Sequence, residues 1–219
     1  MKIGCGEWGF REMPMERHFE ICRDFGFHWL EFGIGGGQVG RLPETPTDKD
    51  IETFVGFGQK FGIETPFCCL ENDYTLTDSQ AHDVMVQQTL AGIRAAKPCG
   101  ATHIRLFAGF TPVDQMSDEI WARMINAFVR SDELCGELGM TISIETHGAI
   151  ALDEAGNAIH SHTASTHPDY LRRLLEELPP RVGFNYDPGN LKPLAKGDSS
   201  VRLDLIISRI NYCHMKDWR

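Results

Sequence analysis

The sequence predicts an α/β fold built from repeated βα units around a parallel sheet of the barrel kind. Short apolar runs alternate with longer stretches of helical period along the chain, which is the pattern of strands and crossover helices. Glycines at 26, 62, 100 and 139 each stand just before an apolar run, where a helix ends in a left-handed residue. Polar residues collect at the C-terminal ends of the late strands, where α/β barrels carry their chemistry.

Taken in order, strands are expected near 2–6, 28–33, 63–69, 101–107, 140–146, 181–187 and 210–216. Seven fit, and an eighth does not appear. Pro14 suits a first helical turn. Thr47 precedes Asp48 and Asp50, whose charges complement a helix N-terminus. Thr77-Asp-Ser-Gln80 matches a capping box, Ser117 stands before Asp118 and Glu119, and Thr166 with Pro168 opens the next major helix. Three loops after strands are long. Ile34-Gly-Gly-Gly-Gln-Val-Gly40 reads as a flexible turn without a dinucleotide or phosphate-loop fingerprint. Thr146 to Ser165 reads as a lid or crossing loop, with His160 and His162 as surface histidines. Pro193 to Ser199 closes the sixth unit.

The 219 residues, 42% of them hydrophobic, can bury one sizeable core, so residues 1–219 are expected to form a single domain. The formal charge is −10 with no basic run, which excludes nucleic acid and anionic membrane as expected partners. Seven cysteines form no Cys-x-x-Cys pair, and most lie in apolar stretches, so they read as reduced core residues of a cytoplasmic protein. The N-terminus turns acidic too early for a secretory signal, and no apolar run reaches membrane-spanning length.

Strand parity selects the candidate site. In Arg181-Val-Gly-Phe-Asn-Tyr-Asp187, side chains alternate, so Gly183, Asn185 and Asp187 share one face. The run Ile210-Asn-Tyr-Cys-His214-Met-Lys216-Asp217 puts Tyr212, His214 and Lys216 together, and Met140-Thr-Ile-Ser-Ile-Glu145-Thr-His147 puts Ser143, Glu145 and His147 together. A glutamate, an aspartate and a histidine at three successive strand ends offer mixed oxygen and nitrogen ligands for Mn2+, Mg2+, Co2+, Fe2+ or Zn2+. Glu31 and Arg105 also face inward by this counting. Glu31 either contacts substrate or accepts hydrogen bonds, and Arg105 needs an acidic partner, Glu31 or another, because an unpaired buried charge is costly. His147 suits a proton shuttle. Lys216 could stabilise a developing enolate or bind an anion, and Asp217 could orient His214 or pair with Lys216.

With Ile104-Arg-Leu-Phe-Ala-Gly109, Ile144-Glu-Thr-His-Gly148, Asn185-Tyr-Asp-Pro-Gly-Asn190 and His214-Met-Lys-Asp217 together, the chain resembles the xylose isomerase-like TIM-barrel superfamily of sugar (phosphate) isomerases and epimerases. The resemblance implies a TIM (β/α) barrel whose metal is held by Glu145, Asp187, His214 and a glutamate from strand eight. That glutamate has no counterpart here. The chain is therefore expected to be C-terminally truncated, or completed by a second copy in a homo-oligomer. The implied reaction is proton abstraction next to a carbonyl of a small sugar or polyol, through a metal-stabilised enediolate. Glu145, His147 and Lys216 are its implied catalytic residues, and Glu31, Arg105, Asn190 and Asp217 its substrate-binding residues. Alternatives are an inosose dehydratase-like polyol-ketone dehydratase, an endonuclease IV-like nuclease and a non-catalytic fragment. The nuclease would carry a histidine three residues after the aspartate, where this chain has Asn190.

Overall fold

The structure is a computed structural model that describes residues 3–198 and 200–216. In chain order its elements are β1 (Cys5–Gly6), α1 (Met15–Asp24), β2 (Trp29–Ile34), α2 (Asp48–Phe61), β3 (Glu64–Leu70), α3 (Ser79–Ala96) and β4 (His103–Phe107). There follow α4 (Asp118–Glu137), β5 (Thr141–Glu145), β6 (Ala149–Leu152), β7 (Ala158–Ser161), α5 (Pro168–Glu177), β8 (Gly183–Tyr186), α6 (Pro188–Leu191), α7 (Leu203–Ile206) and β9 (Ile210–Cys213). All seven expected strands form, with ends shifted by up to three residues: most are shorter than expected, while β2 and β3 run one residue further. Among the described residues no helix is long and apolar enough to cross a membrane.

The helix starts follow local hydrogen bonding. Thr47 caps α2 in a full capping box, its hydroxyl accepting from the Asp50 N–H while the Asp50 carboxylate accepts from the Thr47 N–H. The cap of α3 is Asp78 rather than Thr77, because Asp78 Oδ1 accepts from the Ala81 N–H at 2.8 Å. The capping-box pattern was thus one residue out of register. Ser117 caps α4 by accepting from the Ile120 N–H, and α5 begins at Pro168 with His167 in the cap position but no side-chain capping bond.

The chain forms two compact units. The first comprises Met1–Glu71, Gln87–Arg105 and Leu134–Thr141. It carries the parallel strands β1, β2, β3 and the start of β4 in that order, with Cys5 opposite Leu30, Phe32 opposite Cys68, and Phe67 opposite His103. Its core is aromatic: Phe19 of α1, Phe54 of α2 and Phe32 of β2 meet at ring separations of 5.2 and 4.6 Å. All three are buried, and each such side chain contributes about 1.5–3 kcal/mol. The glycine-rich loop is held at both ends. Gly35 donates to Leu42, Leu42 donates back to Gly33, and three glycines adopt left-handed φ of 81°, 81° and 74° that other residues would resist. This return path carries Arg41 inside, where a Cβ on Gly33 would stand only 1.7 Å from its Nε.

The second unit comprises Asn72–Val86, Leu106–Glu133 and Ile142–Arg219. Within it β5, β8 and β9 are parallel neighbours in that order, with Ile144 opposite Phe184, Glu145 opposite Asn185, and Asn185 opposite Tyr212. Trp121, Tyr74, Phe128 and Phe184 fill its core, and the Tyr74 hydroxyl is satisfied by Ser131 at 2.7 Å. Thr146 to Ser165 is more ordered than a lid. It forms an antiparallel hairpin of β6 and β7, with Ile150 opposite His160 and Ala151 opposite Ile159. Asp153 turns it by accepting from the Ala155 and Asn157 N–H groups. Five of the seven cysteines are buried and none forms a disulfide. Burial pushes the Cys22 and Cys99 thiols up to about 12.

Candidate metal centre

The register of the second unit brings together three side chains that could ligate a metal. β5 ends at Glu145, directly opposite Asn185 of β8. Two residues beyond Asn185, Asp187 caps α6: its Oδ1 accepts from the Asn190 N–H at 2.9 Å. The backbone of Asp187 is held as well, its N–H donating to Thr146 Oγ1 at 2.9 Å. On the other side the His214 N–H continues the ladder to the Tyr186 carbonyl at 3.1 Å. Asn211 ties the three strands, since its amide reaches across Gly183 to the Ile142 carbonyl at 2.9 Å.

His214 Nδ1 lies 3.1 Å from Glu145 Oε1 and 3.5 Å from Asp187 Oδ2. One ligand atom from each residue lies within 4.8 Å of the other two. Glu145 and Asp187 are buried, whereas the His214 side chain keeps 19% of its surface. Ligand atoms about 2.1 Å from one cation stand about 3.0 Å apart in an octahedron and about 3.4 Å in a tetrahedron. The two separations are close to those spacings. Asn185 Nδ2 stands 3.1 Å from the same His214 nitrogen. When Nδ1 carries the proton it donates to Glu145 Oε1, and with the proton on Nε2 the Nδ1 lone pair faces the two carboxylates. That is a donor set which fits a divalent cation.

The surroundings are polar and specific. Asn190 Nδ2 donates to Glu145 Oε1 at 3.0 Å, and the Lys216 ammonium reaches Asp187 Oδ2 at 2.8 Å. His147 Nδ1 donates to the Gly148 carbonyl at 2.7 Å, so in the neutral ring the basic nitrogen is Nε2. The ring meets Phe107 and Phe110 edge-on at 5.3 and 5.4 Å. Its backbone is clamped by the buried strap Thr163 to Thr166: the Ser165 hydroxyl accepts from the His147 N–H, and the Thr163 hydroxyl donates to its carbonyl. A small open cleft of about 10 Å³, room for roughly one water, is lined by His147, Gly148, Ile150, His160, Gly189, Asn190 and Pro193.

A sequence model described as "xylose isomerase-like TIM barrel" matches residues 19–219. The chain belongs to this family. No curated protein matches it. Among solved structures, a D-tagatose 3-epimerase-like protein is 14% identical with a TM-score of 0.73, over 99% of this chain and 76% of its own. The 3-keto-D-glucoside 4-epimerase YcjR from E. coli is 14% identical at a TM-score of 0.72, covering 99% and 79%. The probable 3-DHS dehydratase AsbF from Bacillus anthracis is 17% identical at 0.70, covering 98% and 72%. These likenesses establish the xylose isomerase-like fold and no more.

Within this family member the remaining predicted site residues fall as follows. Glu31 and Arg105 lie in the first unit and are buried. Arg105 donates to the Leu70 carbonyl at 3.2 Å and pairs with Glu71 at 3.9 Å. Glu71 also takes Arg41 at 2.6 Å, while Arg41 Nε meets Glu7 at 3.1 Å. Burial raises the Glu7 carboxyl although Arg41 opposes the shift. Sequence reading anticipated an acidic partner for Arg105 but not the rest of this network, because Arg41 lies in a loop and Glu7 in a short 3-10 helix far from it in sequence. Asp217 lies outside the described residues. His160, expected at the surface, is half-buried and lines the cleft with His147. The signal was available in Ala-Ile-Ala-Leu and Ala-Ile-His-Ser flanking Asp153 to Asn157, a hairpin pattern. His162 packs on His167 at 5.6 Å, and burial lowers its affinity for a proton.

Proposed function

We propose that this chain is a divalent-metal-dependent isomerase or epimerase that removes a proton next to the carbonyl of a sugar or sugar phosphate. The observation that carries this reading is the convergence of Glu145 Oε1, Asp187 Oδ2 and His214 Nδ1 in one buried place. Those three residues would hold the cation, which when bound supplies Lewis acidity towards a carbonyl oxygen. Glu145 is the base that takes the proton, and Asn190 fixes the direction of its carboxylate. His147 carries protons at Nε2, since its other nitrogen is committed to Gly148. Lys216 supplies positive charge beside Asp187. Two imidazoles and an amide line the cleft beside Ile150, groups that hydrogen-bond hydroxyls.

A polyol-ketone dehydratase is the second reading. The dehydratase among the structural neighbours motivates it, as does the place of His147, from which an acid could protonate a departing hydroxyl. The deciding experiment incubates metal-stripped protein with a panel of ketoses in D2O, with and without Mn2+. The proposal expects Mn2+-dependent deuterium uptake next to the carbonyl, lost in Glu145→Gln. A conjugated product absorbing in the ultraviolet would select the dehydratase. Uptake that is indifferent to Glu145→Gln would refute both.

A further inference from the structure

We infer that Lys216 is a built-in competitor for the cation: its ammonium holds Asp187 Oδ2 in the metal-free protein and is driven towards the cleft when a divalent ion binds. The inference rests on the metal reading above. Lys216 Nζ lies 2.8 Å from Asp187 Oδ2, the same oxygen that stands 3.5 Å from His214 Nδ1. Asp187 has no easy substitute to offer, because Oδ1 is committed to the Asn190 N–H as the cap of α6. An ammonium and a divalent ion on one carboxylate oxygen repel each other, the more so beside the buried Asp187. One of them therefore gives way.

The chain provides the path for this exchange. The Lys216 stem runs over Gly189, where an added Cβ would stand 2.8 Å from Cγ and 3.2 Å from Cε. Gly189 itself lines the cleft with His147 and Asn190. The lysine is about one-third exposed and Asp187 is fully buried, so the lysine is the partner able to move. Released, its ammonium faces the space where a bound sugar would lie. The same side chain thus guards the carboxylate when metal-free and becomes available to an oxyanion once the ion is in place.

The test measures Mn2+ affinity of metal-stripped protein by the free-ion paramagnetic resonance signal, together with the thermal midpoint without metal. Lys216→Met is expected to bind Mn2+ about tenfold more tightly, since a competing positive charge is gone, while its metal-free midpoint falls. Gly189→Ala, which obstructs the stem and leaves the charge in the chain, is expected to shift affinity in the same direction by less. If Lys216→Met folds poorly by circular dichroism, Gly189→Ala alone decides. Wild-type binding with no tightening in either folded variant overturns the competitor role and leaves the metal site standing. Binding by the variants and not by the wild type supports it. Absence of binding in all three overturns the metal reading and the inference together.

Discussion

Thr146→Val isolates the bond that sets the aspartate of the candidate centre. Thr146 and Asp187 are both fully buried, and the Asp187 N–H donates to Thr146 Oγ1 at 2.9 Å. Valine keeps the shape and removes the acceptor, leaving a buried N–H unpaired at a cost of about 1–3 kcal/mol. The added methyl works in the opposite sense by about 0.8 kcal/mol. The net expectation is a loss of about 0.2–2.2 kcal/mol. At about 2–4 °C per kcal/mol for a chain of this size, the thermal midpoint should fall by up to about 9 °C. The assay is a melt followed by tryptophan fluorescence and circular dichroism. Hydrogen exchange should show the Asp187 amide losing protection well beyond its neighbours. An unchanged or raised midpoint would mean that apolar burial outweighs the hydrogen bond, and the claim that Thr146 anchors Asp187 would be withdrawn.

Two further substitutions probe the rest of the chain. Arg41→Met strands the buried Glu7, which it meets at 3.1 Å, and leaves the part-exposed Glu71 only its 3.9 Å contact with Arg105; the expected loss is about 3–5 kcal/mol in urea denaturation, and a loss under about 1 kcal/mol would show the network to be dispensable. His82 is buried on α3, and burial together with Arg123 lowers its proton affinity. The unfolded chain therefore binds the proton more readily, so stability is held above about pH 6.5 and declines as pH falls below it. His82→Leu should flatten that decline between about pH 7 and 5 in thermal melts, and an identical slope in both proteins would assign the acid sensitivity elsewhere.

The elements legible in the sequence were those governed by a period. Parity alone placed Glu145, Asn185, Asp187 and His214 on facing positions, and the structure aligns Glu145 with Asn185 in the ladder. The same counting grouped Tyr212 with His214, whose rings meet at 5.3 Å. Alternation survives because a one-residue slip would turn each of these side chains to the opposite face. The cap of α3 was misplaced by one residue because Thr77 and Asp78 can both accept from the first turn, and only the three-dimensional path of the chain selects between them.

What was not legible depended on pairs far apart in the chain. Arg41 is drawn inward by Glu7 and Glu71, 34 and 30 positions away, and nothing local to Gly-Gly-Gly-Gln-Val-Gly announces a buried guanidinium. The strap Thr163 to Thr166 looks like a polar linker, yet its hydroxyls are buried because they satisfy both backbone groups of His147. His147 was found by its distance from Glu145 in sequence, but what orients its ring is this strap and the edges of Phe107 and Phe110. The positions of the candidate ligands are thus written in strand periodicity, whereas the geometry that would make one imidazole useful is written in tertiary contacts. For the same reason Lys216 can be named from its motif, while its dependence on the bare backbone of Gly189 becomes visible only when the stem is seen lying across it.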